Sequence, residues 1–225
     1  MGKYLEHLKE CPLVYYIYQR GSYIYGTNTK ESKKDYLVII DSKYTVPKEF
    51  RKYKRGLNYG TVRYNTQEEN ERFFFYEIQE WFKMVLDCNL EPWECACLNK
   101  KFVYKEHVKL LMHTEPIKLR LYFQNRLNLV LPIVEKLITQ QSYDKARKYL
   151  WYLIKDILFI NQIMEHHKII HFDEANKAHD FLFSCSDTDI MKTYEGLISI
   201  PKDLFYNTTN ALVKQNHVNK LYKYE

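Results

Sequence analysis

Between Leu13 and Tyr18, and again between Tyr36 and Ile40, the chain carries short runs of β-branched and aromatic residues followed by turn-forming or polar positions. That pattern predicts two strands bracketing the segment GSYIYGTNTKESKKD. Thr61 to Tyr64 predicts a third strand, and Phe73 to Phe75 a fourth that runs into a helix over 76–86. Farther on the apolar positions recur at helical spacing, predicting helices over 105–112, 115–140, 143–166, 173–183 and 187–197, with Asp173 and Asp187 as N-caps. Ala146, Leu150, Leu153, Ile154, Ile157, Leu158 and Ile160 form the broad apolar stripe that packing in a bundle requires. The expected class is α+β: a mixed sheet with flanking helices over 1–100, an α-helical bundle over 101–206 that closes one side of a cleft, and a polar tail over 207–225. The division is expected near Asn99-Lys100-Lys101.

Composition narrows the class. Apolar residues make up 46% and aromatics 16% of 225 residues, which excludes a disordered or low-complexity chain. Six glycines and six prolines are few for an all-β sandwich or barrel, whose turns consume both. Five cysteines form an odd set and the chain opens on the charged MGKYLEHLKE, so an intracellular, cytoplasmic setting is expected. No apolar run approaches the ~18 residues of a membrane helix, so no membrane partner is expected. The richness in Tyr, Lys, Asn and Ile suits an AT-rich genome, such as that of a virus in host cytoplasm. A net charge of +6 permits an anionic partner without demanding one.

The chemistry concentrates in Arg20-Gly21-Ser22-Tyr23-Ile24-Tyr25-Gly26-Thr27 and Ser32-Lys33-Lys34-Asp35. Gly21-Ser22 directly after a strand can open a helix whose free amides and hydroxyl face a phosphate. Asp35, at the head of the next strand, then lies across from it, where a divalent metal can bridge carboxylate and phosphate. These residues resemble the nucleotidyltransferases of the DNA polymerase β-like superfamily, in particular the small predicted nucleotidyltransferases with a GSxxYGTxTxxSDxD signature. Tyr76 to Phe82, Asn89 to Glu94, and Lys145 through Phe172 look like later segments of the same family, so the resemblance spans roughly 13–183. It implies a nucleotidyltransferase-like sheet domain in which Gly21, Ser22, Tyr25 and Gly26 approach the phosphates.

The resemblance also implies three carboxylates holding Mg²⁺, and here the sequence departs from it. Lys33 stands at the first acid position and Arg72 at the third, with Glu71 and Glu69 nearby; Asp35 alone remains of the pair. A cation in place of a metal ligand removes oxygen donors and repels the ion. The expected protein is therefore a pseudoenzyme, with Lys33 and Arg72 as counter-charges for the phosphates of a nucleotide or nucleic acid, Asp35 as residual ligand or ion-pair partner, and no cofactor. The alternative is an active Mg²⁺-dependent nucleotidyltransferase acting from an NTP on RNA, protein or a small molecule, with Glu71 as third ligand and Glu31 or Asp41 supplying the missing group. Asp41 lies about 20 Å along the strand from Asp35, too far to share a metal. A further alternative is a scaffold that binds a protein partner.

Between Lys43 and Arg63, Arg51, Lys52, Lys54, Arg55 and Arg63 alternate with aromatics, a pattern that suits nucleic-acid contact as well as a solvated loop. Lys118, Arg120, Arg126, Lys145, Arg147 and Lys148 suit either the cleft or a solvated helix face. Cys95-Ala96-Cys97 and the histidines at 166, 167 and 171 lack metal-ligand spacing and are expected to be structural.

Overall fold

The computed structural model describes residues 2–45, 47, 55–57, 61–65 and 70–199. They form two compact units, Met1–Met112 and His113–Glu225. The first unit runs α1 (Lys3–Glu10), β1 (Val14–Arg20), α2 (Ser22–Tyr25), β2 (Lys34–Ile40), β3 (Arg55–Leu57), β4 (Thr61–Asn65), β5 (Glu71–Glu77), α3 (Ile78–Leu86), α4 (Leu90–Ala96), a 3-10 turn (Lys100–Phe102) and β6 (Val103–Glu106). Its six strands form one mixed sheet in the order β3-β4-β5-β2-β1-β6. The β2–β5 pair is parallel and the other pairs are antiparallel.

Alternation along the strands sorts the core into two layers. Tyr36, Val38 and Ile40 of β2 and Phe73 and Phe75 of β5 turn to one face, where Tyr4, Leu5 and Leu8 of α1 cover them. Leu37 and Ile39, with Tyr16, Tyr18 and Tyr76, turn to the other, under Trp81 and Met84 of α3 and Cys95 of α4. A bulge between Val14 and Tyr16 breaks the alternation of β1. It allows Val14 and Ile17, three positions apart, to join the same layer. Because both faces of β2 are covered, Tyr36 to Ile40 are all buried, which is why that strand reads as a continuous apolar run.

Two core tyrosines give the sheet a pH limit. Burial raises the Tyr18 hydroxyl far above its ordinary 10.0, with Cys95 and Glu106 adding to the shift. Burial and then Glu71 do the same for Tyr36. A folded-state pKa above the unfolded value gives stability that is complete below about pH 10 and is lost as the pH rises beyond it. In an alkaline absorbance titration, these two phenols are expected to ionise only as the unit unfolds. Ionisation of all 21 tyrosines near pH 10 in a protein that keeps its circular dichroism would contradict this packing.

The sheet is wider than the sequence predicts. The helix expected over 105–112 does not form; Val103–Glu106 is strand β6, pairing Tyr16 with Glu106, Ile17 with Lys105 and Tyr18 with Val103. The edge of β1 supplies a long-range partner for an alternation too short to reveal itself. The sheet unit accordingly runs on to Met112, past the division expected at 99–101.

The second unit is helical: α5 (Pro116–Thr139), α6 (Tyr143–His166), α7 (Asp173–Ser184) and α8 (Asp187–Ser199). Helix α6 packs against the other three, burying Ala146, Leu150, Leu153, Ile160 and Ile163. Arg126 reaches across to Asp156 at 3.2 Å, and Arg147 to Asp187 at 2.6 Å. Gln162 clamps the α6–α7 connection, accepting from the amides of Ile170 and His171 at 2.8 Å each. Asp173 and Asp187 are first-turn residues, not N-caps: Phe172 precedes α7, and Ser186 Oγ accepts from the Asp189 amide at 3.2 Å. Among the described residues no helix is long and apolar enough to cross a membrane, and all five cysteines are free thiols. The tail over 207–225 lies outside the described residues.

Candidate functional site

Three strands bring their ends together where β1 finishes and β2 and β5 begin. Arg20 pairs in register with Asp35, and Asp35 with Arg72, so the three form a transverse row. Alternation places the row on the α3 side of the sheet, in line with Tyr18, Leu37 and Phe74. Arg72 forks onto Asp35: Nε donates to Oδ1, and Nη2 to Oδ2 at 2.5 Å. Arg20 turns away from Asp35 to pair with Glu91 of α4. Its guanidinium lies 4.7 Å from the centre of the Phe74 ring. Burial alone would favour loss of the Arg20 proton, but Glu91, Tyr76, Tyr25 and Glu94 outweigh it and hold the pKa above its ordinary value.

The turn from β1 into α2 wraps closely around Asp35. Gly21 sits at φ 77° and ψ −154°. A Cβ there would stand 3.1 Å from Asp35 Oδ2. Ser22 opens the single turn of α2, which ends on Gly26 in the left-handed region. The Tyr25 hydroxyl donates to Glu94, tying α2 to α4. Tyr76 donates to the second oxygen of Glu91 at 2.7 Å. Thus α4 presents two carboxylates, one to Arg20 and one to Tyr25. Next to Glu94, Cys95 is buried, and burial pushes its thiol well above its ordinary pKa.

The register separates residues that adjacency in sequence leaves ambiguous. Arg72 lies across from Asp35, whereas Glu71 points to the opposite, α1 side, where its carboxylate accepts from the Tyr36 hydroxyl at 3.2 Å. Glu71 and Asp35 do not share a site. Asp41, at the far end of β2, accepts from the Tyr15 hydroxyl at 3.0 Å and the Lys43 amide at 2.9 Å. Those two bonds, the amide first, hold its carboxyl below the ordinary range. Glu31 and Lys33 are exposed in the turn before β2.

The donor set does not fit Mg²⁺. Both oxygens of Asp35 are engaged by Arg72, an arginine stands where a second carboxylate would be needed, and Glu91 and Glu94 already serve Arg20 and Tyr25. Among the described residues no group of three or more His, Cys, Asp or Glu is placed to hold a metal. His167 caps the end of α6 and contacts Thr114 Oγ1 at 3.0 Å.

Two arginines of the basic segment, Arg55 on β3 and Arg63 on β4, stand on strands of this sheet. Residues 42–65 carry seven Lys and Arg against one Glu, a net +6 equal to that of the whole chain, so the remainder sums to zero. Arg55 is the register partner of Arg63, Arg63 of Phe74, and Asn65 of Arg72. Arg51, Lys52 and Lys54 lie outside the described residues.

No protein-family model matches the chain, and no curated protein matches it in sequence. Among solved structures it is similar to a nucleotidyltransferase-like protein from Exiguobacterium sibiricum. The identity is 13% and the TM-score 0.33, covering 96% of this chain and 71% of that one. The chemistry of the corner rests on Arg20, Asp35, Arg72 and their partners. Of these, Glu91, Glu94 and Tyr76 escape a reading of the sequence as site residues, whereas Arg20 opens the segment that it singles out. The one available signal is the i, i+3 spacing of Glu91 and Glu94 on α4, which an ordinary solvated helix face shares.

Proposed function

We propose that this protein has a nucleotidyltransferase-like fold from which two-metal chemistry has been lost, and that it binds the phosphates of a nucleotide or nucleic acid at the row formed by Arg20, Asp35 and Arg72. The fork of Arg72 on Asp35 carries this reading, because it replaces the carboxylate pair that Mg²⁺ would need with a carboxylate already neutralised by a cation. Guanidinium groups are the side chains best matched to phosphate oxygens. The concentration of the chain's entire net charge in 42–65 favours a polyanion over a neutral ligand.

The test is calorimetric titration with ATP, GTP, CTP, UTP and a single-stranded oligonucleotide, each with and without Mg²⁺. Binding that is indifferent to Mg²⁺ and weakens as salt rises is expected, with no transfer of labelled nucleotide. Mg²⁺-dependent binding accompanied by transfer that Asp35→Ala abolishes would establish an active enzyme instead, and absence of binding to all these ligands would refute the proposal.

A further inference from the structure

We infer that Asp35 occupies, on Arg72, the place of an anionic ligand, so that phosphate-class anions enter this corner by displacing the protein's own carboxylate. The inference rests on the phosphate-binding reading above and adds to it a built-in competitor.

The geometry is that of a ligand bound to its receptor. Arg72 offers Nε and Nη2, the edge of the guanidinium that recognises a carboxylate or a phosphate as a bidentate pair. Among the described residues the Asp35 carboxylate has no other partner. Its register neighbour Arg20 is committed to Glu91. The Arg72 side chain is 29% exposed and that of Asp35 13%, so the arginine is reached by solvent more than the carboxylate it holds. Nη1 of Arg72 makes no hydrogen bond among the described residues, which leaves a donor for a larger anion. On the remaining side, the Gly21 turn has no side chain to interpose near Asp35 Oδ2. Lys33 and Lys34 are exposed at the entry to β2 and add positive potential without competing for Arg72.

An incoming phosphate must therefore regain from Arg72 what Asp35 gives up, and its net affinity is reduced accordingly. Asp35→Asn keeps the volume and removes the charge. Arg72 then keeps its place in the sheet but loses its resident anion.

The experiment compares wild type, Asp35→Asn and Asp35→Asn/Arg72→Gln, with inorganic pyrophosphate and Mg²⁺-free ATP as probes, at low salt and near neutral pH. Asp35→Asn is expected to bind both probes about tenfold more tightly or better, equivalent to about 1.4 kcal/mol, and the double variant is expected to lose the gain. Asp35→Ser, checked by circular dichroism, serves if the asparagine variant fails to fold. Unchanged or weaker affinity in a folded Asp35 variant, with wild type still binding, overturns the competitor and leaves the phosphate-binding reading standing. A gain that survives Arg72→Gln also overturns it, because the anion would then be held elsewhere. Failure of wild type and every variant to bind overturns both readings.

Discussion

Trp81→Ala is expected to destabilise the protein by about 3–5 kcal/mol in denaturant unfolding, the range for deleting a fully enclosed large aromatic. Trp81 is completely buried. Its ring lies 6.4 Å from that of Tyr18 and 5.9 Å from that of Tyr76, joining α3 to the sheet beneath the candidate site. Removing it leaves a void under Tyr76, the residue that donates to Glu91, so the loss should extend from the core to the support of Arg20. Its indole N–H makes no hydrogen bond among the described residues. Trp81→Phe therefore forfeits only volume and is expected to cost less than about 1.5 kcal/mol. Equal costs for the alanine and phenylalanine variants would show that the site does not depend on the aromatic contact.

Gly21→Ala is expected to cost about 1–3 kcal/mol from backbone strain alone, because its φ of 77° with ψ of −154° lies in a region essentially closed to residues with a Cβ. The added methyl also meets Asp35 Oδ2 at 3.1 Å, tighter than an ordinary contact. Asp35 can relieve that contact only by shifting on Arg72, so the substitution should disturb the ion pair as well as stability. The measurement is the unfolding midpoint, together with affinity for pyrophosphate. A variant with the midpoint of the wild type would show that the turn does not hold this conformation in solution.

The strands that carry the site are legible in sequence because Tyr36 to Ile40 of β2 and Phe73 to Tyr76 of β5 are unbroken runs of β-branched, aromatic or apolar residues, and Gly21-Ser22 marks the turn between β1 and α2. Four of the helical segments are legible for a similar reason, since the period of Ala146, Leu150, Leu153 and Ile160 persists over several turns. Strands β3 and β6 are not, because neither carries an unbroken β-branched or aromatic run, and the partner that makes β6 a strand, β1, lies about 90 residues away. The identity of the side chain facing Asp35 is a question of pairing. A shift of one residue would exchange Arg72 for Glu71, and only the parallel register of β2 on β5 decides between them. The roles of Arg20, Glu91 and Glu94 depend on where α4 lands against the end of β1, which no local pattern encodes.

The two outermost strands of the sheet bear on how the molecule behaves in concentrated solution. Among the described residues β3 spans three residues and β6 four. A second chain adding to the β6 edge would find a ladder only four residues long, with few backbone groups to pair. The apolar central strands, which by composition are the most prone to self-association, are thereby kept away from the ends of the ladder. The folded protein should therefore resist strand-by-strand aggregation, and loss of solubility should track unfolding of the sheet instead of association of the native state.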